Sequence, residues 1–440
     1  MTAPNPYPEY KDSGAEWLGA VPNTWGVQPL WTLFRRSKRL GSGEEELLSV
    51  YRDYGVIPKS SRDDNHNRAS EDLSKYQFVN VGDLVINKMK AWQGSVAVSE
   101  FEGIVSPAYF VFRSLSNHDL RYLHYLLRSG PYIGAYASIS KGVRPSQWDL
   151  DPEKHRVLPV LLPSVGEQQA IASYLDHEAA EIDAFIADQE ELIELLNERR
   201  AATITQAVTK GLDLTVKMKD SGVPWIGKVP QHWVVDKGTR IGKVFGSEMI
   251  KEEDINEVSG TQFLKVSSLS VEGFSLQPTR WFVERYAAAP ITNFIVFPKR
   301  GAAIFTNKVN IVKEPAFLDP NLMGWKPYKD CDSKFFAYVL QLVKLEEIAD
   351  VSTVPQINTK HIASLRLPKP SLAEQQEIVD YLDFETSEID AAIADAKEAI
   401  ELSKERRAAL ISAAVTGKID VRDHITAGLG AASYGVVQRG

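Results

Sequence analysis

The sequence predicts an α/β (α+β) chain: two modules of mixed α/β fold separated by two long antiparallel helices that form a coiled coil, with internal pseudo-twofold symmetry. Three observations predict it. A motif block occurs twice, two long stretches lack glycine and proline, and two intervening stretches read as strands followed by a helix.

The repeat comes first, because it divides everything else. Lys11-Asp12-Ser13-Gly14 with Trp17, Gly19, Val21, Pro22 and Trp25 returns 208 residues later as Lys219-Asp220-Ser221-Gly222 with Trp225, Gly227, Val229, Pro230 and Trp233. Glu167-Gln168-Gln169, Tyr174-Leu175-Asp176, Glu181-Ile182-Asp183 and Glu198-Arg199-Arg200 return 207 residues later as Glu374-Gln375-Gln376, Tyr381-Leu382-Asp383, Glu388-Ile389-Asp390 and Glu405-Arg406-Arg407. The predicted order is a scaffold segment (1–26), a first module (27–165), a long helix (167–208), the repeated scaffold segment (209–233), a second module (234–373), a second long helix (374–415) and a C-terminal tail (416–440). The two modules barely resemble each other, as binding modules with different targets would; divergence of an old duplication is the alternative.

Residues 167–208 are rich in Ala, Glu, Leu and Ile, a composition of good helix formers apart from β-branched Ile. Leu175, Ile182, Gln189 and Leu196 fall seven apart with Phe185, Ile186, Leu192 and Ile193 beside them, predicting an apolar stripe wider than a bare coiled-coil seam. Leu382, Ile389, Ile393 and Ile400 repeat it. Each helix can reach about 63 Å, and its stripe needs a partner. Ser164 and Ser371 stand three residues before Glu167 and Glu374, a capping-box spacing, and Gly211 and Gly417 stop the helices.

The net charge of −8 conceals a segregation. The first helix holds ten acids against two bases and the second eleven against four, whereas each module holds 18 bases against 15 acids. An acidic middle with mildly basic ends suits a molecule whose ends meet phosphate. One cysteine, Cys331, excludes an intrachain disulfide and a cysteine zinc site, and the eight histidines show no paired ligand spacing. No apolar run approaches the roughly 20 residues of a membrane span, and the N-terminus has no signal-peptide core, so a reducing cytoplasm is expected.

In the first module, residues 77–86 and 104–112 read as strands and 119–128 as a helix; in the second, 293–297, 302–305 and 309–312 read as strands and 334–345 as a helix. Cations and amides on the intervening loops are the DNA-binding candidates, since Arg and Lys bond guanine and Asn and Gln bond adenine. They are Lys88, Lys90, Gln93, Lys141, Arg144 and Gln147 in the first module, and Lys299, Arg300, Asn307, Lys308, Gln356 and Asn358 in the second. Simple solvation is the competing reading. Arg35–Arg39 either grips phosphate or flanks a structural helix. Trp17, Trp25, Trp225 and Trp233 are candidate anchors for partner subunits, with domain core the alternative.

This doubled order resembles the specificity subunit of type I restriction-modification systems. The resemblance rests on KDSGAEWLGAVPNTW and KDSGVPWIGKVPQHW, on VGDLVINK, and on the two P-S-x-x-EQQ-x-I helix openings, and it covers residues 7–420. It implies two target-recognition domains that each read half of a bipartite, asymmetric double-stranded DNA target, with the helices setting the gap. The implied partners are two modification subunits that carry S-adenosylmethionine and methylate adenine, and restriction subunits that use ATP and Mg. The chain itself is expected to hold no cofactor or metal and to do no chemistry. Where the first module has Gly82-Asp83-Leu84 the second has Lys299-Arg300-Gly301-Ala302, which leaves the loop equivalence open. No methyltransferase N-P-P-Y pattern, phosphate loop, G-x-S-x-G or H-E-x-x-H occurs. A coiled-coil adaptor joining two proteins is the alternative function.

Overall fold

The structure, a computed structural model, describes all residues except 1–4, 63–71, 116, 145–146, 248–249, 285, 287, 351–353 and 423–440. The chain forms two compact units, Met1–Gln189 with Lys397–Gly440, and Glu190–Ala396. Each contains one scaffold segment, one module, the start of one long helix and the end of the other.

In the first unit the scaffold segment is a hairpin of β1 (Tyr10–Asp12) and β2 (Ala20–Pro22). Gly14 and Gly19 sit at φ +78° and +67°, where a side chain is strained, and the Asp12 carboxylate accepts the Gly14 amide at 2.9 Å. The repeated Asp-Ser-Gly is therefore a turn. β3 (Gly26–Pro29) then leads into a four-stranded antiparallel sheet. Its members are β4 (Phe34–Ser37), β8 (Leu84–Asn87), β9 (Val96–Val98) and β11 (Tyr109–Ser114), in the order β4-β11-β8-β9. The hairpin β5 (Leu48–Tyr51) and β6 (Gly55–Pro58) and the pair β7 (Gln77–Val79) and β10 (Gly103–Val105) lie outside it.

Each of the two long strands expected here is two strands and a turn. Gly82 at φ +88° breaks the first, where buried Asp83 accepts the Asn80 amide at 2.9 Å, and Ser106-Pro107-Ala108 breaks the second. α1 (Leu120–Leu127) is capped by Asp119, which accepts from the Arg121 and Tyr122 amides, and buries Tyr122, Leu123, Leu126 and Leu127. α2 (Gly130–Ile139), the hairpin β12 (Ser140–Arg144) and β13 (Gln147–Leu150), and α3 (Pro152–Arg156) follow. β14 (Pro159–Leu162) returns to pair with β3, so the module enters and leaves the scaffold through neighbouring strands.

The helix α4 (Val165–Lys210) starts as the capping spacing requires on one side only. Ser164 Oγ accepts the Glu167 amide at 3.3 Å, but the Glu167 carboxylate turns inward. There it accepts from the Tyr7 hydroxyl at 2.8 Å and from the Trp25 indole N–H at 2.9 Å. Burial and that carboxylate push the Tyr7 pKa well up. The second long helix ends against the same tryptophan. A Cβ on Gly417 would lie 2.3 Å from Pro22 and 3.2 Å from the Trp25 ring, so a glycine is required there for space as well as for φ +71°. Start and end of the two helices thus meet at Trp25, and Glu178–Arg406 (3.9 Å) and Asp183–Arg407 (3.2 Å) pair them further along. The helices run antiparallel within this unit. The expected tail is folded at its beginning: Val421 is fully buried and the Asp420 amide donates to the Asn5 carbonyl at 2.7 Å. The Gly- and Ala-rich stretch 427–440 lies outside the described residues.

The second unit repeats the plan. β15 (Met218–Asp220) and β16 (Lys228–Pro230) form the scaffold hairpin. β17 (Val234–Lys237) and the short helix α5 (Gly238–Ile241) lead to β18 (Gly242–Phe245), which opens the second module. An outer sheet contains β19 (Ile255–Asn256), β20 (Thr261–Leu264) and β21 (Phe282–Val283) with β24 (Ala316–Leu318), and it includes one parallel pair, β20 with β24. The central sheet adds β22 (Phe294–Pro298), β23 (Asn310–Val312) and β25 (Leu322–Pro327) in the order β18-β25-β22-β23. That is the same four-strand order as in the first module. The strand expected at 302–305 is instead a 3-10 turn, Ala302–Thr306, because left-handed Gly301 (φ +76°) and Asn307 (φ +47°) curl the chain at both ends. α6 (Ser333–Val343), α7 (Leu345–Ile348), α8 (Thr359–Ser364) and β26 (Arg366–Lys369) precede α9 (Leu372–Val415). β17 pairs with β26, matching β3 with β14.

Here too Trp233 donates to the first-turn glutamate, Glu374, at 2.7 Å, and a Cβ on Gly211 would lie 3.2 Å from the Trp233 ring. Arg199–Glu385 and Arg200–Asp390, both 3.3 Å, join α4 to α9. Along α9, Leu382, Ile389, Ile393 and Ala396 are buried at spacings of three, four and seven, as in a heptad seam. The seam is narrower than the expected stripe: Phe185 and Leu192 are 44% and 40% exposed, because each helix packs on one partner rather than on a broad core.

Two outcomes follow for stability. Glu167→Ala leaves two buried donors without an acceptor and should cost about 3 kcal/mol in denaturant unfolding, and an unchanged midpoint would contradict this role. His155 is fully buried between Phe112 and Tyr136, with both ring nitrogens unpartnered among the described residues, and burial lowers its pKa to about 4. Its unfolded value is about 6.5, so as pH falls from 6.5 towards 4 only the unfolded chain takes up this proton. The first unit should lose stability across that window, on the order of 3 kcal/mol from this residue, and none above it. His155→Leu should flatten the pH dependence of unfolding; an unaltered slope would assign the effect elsewhere.

Candidate nucleic-acid interface

The structure brings together the two loops of each module that the sequence singles out separately. In the first module the Leu150 amide donates to the Lys88 carbonyl at 3.1 Å, and the Trp92 and Trp148 rings stack at 5.0 Å. The 3-10 turn Ala91–Gln93 and the β12–β13 hairpin therefore form one surface, with Lys90, Gln93 and Lys141 exposed on it. In the second module the Ile357 amide donates to the Lys299 carbonyl at 2.8 Å, and Arg300 and Gln356 form an isolated bridge. The equivalent backbone bond settles the loop equivalence: Lys88 corresponds to Lys299, although the flanking sequences differ.

The candidates are not equally free. Lys88 Nζ donates to the Pro107 carbonyl at 2.7 Å and lies 4.8 Å from the Phe110 ring, and burial lowers its pKa. Asn307 donates to the Gln341 carbonyl at 2.7 Å and accepts the Leu345 amide at 2.9 Å, tying its turn to the α6–α7 corner. Asn358 caps α8 through the Lys360 and His361 amides. Each of these three side chains is engaged within its own module. Lys90, Gln93, Lys141 and Arg300 are exposed and their side chains have no partner among the described residues; Lys299, Lys308 and Gln356 are half-buried. Arg144 and Gln147 are placed by backbone only, on β12 and β13; their side chains, with Pro145, Ser146 and 351–353, lie outside the described residues. Of the Arg35–Arg39 cluster, Arg36 is structural. It stacks 4.5 Å from the Phe110 ring and donates to Gln77, and burial lowers its pKa to about 10.

Beside the first surface lies a cleft of about 590 Å³ between the β5–β6 turn and the Ala91–Gln93 turn. Tyr51, Arg52, Asn87 and Tyr109 line it together with Lys90, Trp92 and Gln93, and among the described residues no carboxylate does. Aromatic faces, amides and cations without an acid suit a planar, anionic ligand. The sequence reading missed Tyr51, Arg52 and Asn87; a Tyr-Arg pair at the end of a short strand before a glycine turn was the available signal. In the second module a cleft of about 350 Å³ at a different place, against the end of β23 and the start of α6, includes Glu314 beside Lys313 and Lys334.

Trp25 and Trp233 are 0% exposed and spend their indole N–H groups on Glu167 and Glu374, so they belong to the scaffold rather than to an outer surface. Trp17 and Trp225 keep 37% and 36% exposure at matched positions. Among the described residues no group of three His, Cys, Asp or Glu could hold a metal, and no helix is long and apolar enough to cross a membrane. Cys331 is buried, and burial pushes its thiol up to about 11, far from a reactive thiolate.

Comparison with known proteins agrees with this build. The family described as type I restriction modification DNA specificity domain matches residues 230–401. A Methanocaldococcus jannaschii protein assigned as the MjaX type I restriction enzyme specificity subunit is 26% identical over 368 residues, 80% of this chain and 81% of that protein. The MjaVIII specificity subunit of the same organism is 23% identical over 425 residues, 92% and 95% of the two chains. A chain from a structural study of complex assembly and conformational transition of the type I R-M system superposes with a TM-score of 0.72 at 14% identity, covering 91% of this chain and 99% of that one. The HsdS subunit from Thermoanaerobacter tengcongensis gives 0.55 at 15% identity, covering 91% and 98%. At such identities the superpositions speak to the fold, and the sequence matches speak to the family. Residues 230–401 thus match the type I restriction modification DNA specificity domain, and over most of its length the chain is similar to type I restriction enzyme specificity subunits.

Proposed function

We propose that this chain is the non-catalytic DNA-recognition subunit of a cytoplasmic type I restriction-modification enzyme, in which each module reads one half of a bipartite, asymmetric target. The observation that carries this reading is the pairing of two polar loops at the same place in two modules. They share a strand order and a scaffold, yet differ in the side chains they present: Lys90, Gln93 and Lys141 in one, Lys299, Arg300 and Gln356 in the other. Same frame with different readers is what an asymmetric target requires. Lys308 extends the second surface. Segregation of acid to the helices and base to the modules supports DNA contact at the modules, where cations release counterions from phosphate. The paired helices set the gap between half-sites. Trp17 and Trp225, exposed on both scaffold segments, are contact points for two modification subunits, through which restriction subunits join. S-adenosylmethionine, ATP and Mg belong to those partners.

Inserting one heptad into each long helix should widen the preferred gap by about 3 bp, since seven helical residues add about 10 Å, and leave both half-site sequences unchanged. A change in either half-site sequence would mean that the helices read bases. Lys90→Ala with Gln93→Ala should weaken binding of the full complex to its target by about tenfold at fixed salt without altering unfolding. Asn307→Ala should do the reverse, lowering stability by about 1–2 kcal/mol. If Asn307→Ala spared stability and changed base preference, Asn307 would be a reader.

A further inference from the structure

Each module is fastened to the start of a long helix by the same two-point clamp. In the first unit Gln168, fully buried in the first turns of α4, accepts the Asp119 amide at 3.0 Å and donates to the Pro163 carbonyl at 2.8 Å. Eight residues on, Asp176 accepts from Arg121 Nη1 at 2.6 Å and from the Tyr125 hydroxyl at 2.8 Å. In the second unit buried Gln375 accepts the Asp332 amide at 2.7 Å and donates to the Pro370 carbonyl at 2.9 Å. Asp383 accepts from Lys334 Nζ at 2.5 Å and from the Tyr338 hydroxyl at 3.3 Å. On the module side Asp119, Arg121 and Tyr125 precede Asp332, Lys334 and Tyr338 by 213 residues, whereas on the helix side the offset is 207. The modules have changed sequence and length between these points, yet the clamp is rebuilt with the same amide, tyrosine and carboxylate groups and with Lys334 in place of Arg121.

Eight helical residues span about 12 Å, so two attachments that far apart fix the direction of the module helix as well as its position. The carboxylate pairs are poor stabilisers in themselves. Arg121 and Asp176 are 49% and 42% exposed and Lys334 and Asp383 are 38% and 40% exposed, a setting in which ion pairs contribute little. Their consequence is angular. A module is about 15–20 Å in radius, and a tilt of roughly ten degrees at that distance moves its reading edge by about 3.4 Å, one base-pair step.

From this we infer that Asp176 and Asp383 are positioning residues for target spacing: by clamping Arg121 with Tyr125, and Lys334 with Tyr338, they let the helices impose one gap between half-sites. The inference rests on the proposed reading of a bipartite target. The test uses the full chain assembled with its modification subunits, and duplexes carrying both half-sites at gaps from two base pairs short to two long. Asp176→Asn with Tyr125→Phe, and Asp383→Asn with Tyr338→Phe, should each reduce the preference for the native gap over its one-base-pair neighbours by about fivefold. The penalties for half-site mismatches should stay as in the parent. Arg121→Lys and Lys334→Arg, which exchange the two natural cations, should retain the gap preference. An unchanged gap preference, an equal loss of half-site discrimination, or failure of the variants to assemble would overturn the inference. A parent complex with no gap preference at all would take the proposed function down with it.

Discussion

The buried tryptophan at each scaffold junction is the contact on which the rest depends. Trp25 and Trp233 are fully buried, and each touches three separate parts of the chain: its own scaffold hairpin, the first-turn glutamate of one long helix and the glycine that ends the other. The indole N–H to carboxylate bond satisfies the one polar atom of a large apolar side chain, and such satisfaction is what makes burying it favourable. The glutamate also explains why the serine cap is only half of a capping box. Its carboxylate has a better use than reaching back to the helix start. With that joint fixed, the module strands β3 and β14, or β17 and β26, leave the scaffold at a defined place.

Several of the repeated helix residues have a task once the joints are in place. Glutamate of Glu-Gln-Gln holds tryptophan, its first glutamine holds the module cap, and the aspartate of Tyr-Leu-Asp holds the module helix. The aspartate of Glu-Ile-Asp and the arginines of Glu-Arg-Arg pair one long helix with the other. Part of the acid that makes these helices look like plain solvated surface is thus engaged. Apart from the residues that meet the clamp, Asp119, Arg121 and Tyr125 or Asp332, Lys334 and Tyr338, the modules differ in their loops while keeping one strand order.

How much was legible follows from where each signal resides. The long helices, expected at 167–208 and 374–415 and found at Val165–Lys210 and Leu372–Val415, are set by composition and by local stop residues, which a sequence displays. The scaffold turns are readable for the same reason, since Gly14 and Gly222 answer a local backbone demand. The strands of the modules were harder, because Gly82 and Pro107 interrupt apolar runs that otherwise look continuous. Among site residues, Lys88, Asn307 and Asn358 have the right chemistry for bases but are already satisfied by neighbours distant in sequence. Residue type shows what a side chain can bond; only the fold shows whether that capacity is still open. Arg52 and Asn87 were passed over for the converse reason, being brought to a common cleft from the β5–β6 turn and the end of β8.

The central claim is that two dissimilar readers, held by matching tryptophan–glutamate joints, act on one duplex at a set distance. Sequencing the duplexes that the assembled complex retains from a random pool, at stated salt, tests it most directly. Two short, unrelated motifs separated by an invariant gap of unspecified bases are the predicted result. A single contiguous motif, one motif repeated on both sides, or enrichment of nothing would contradict it.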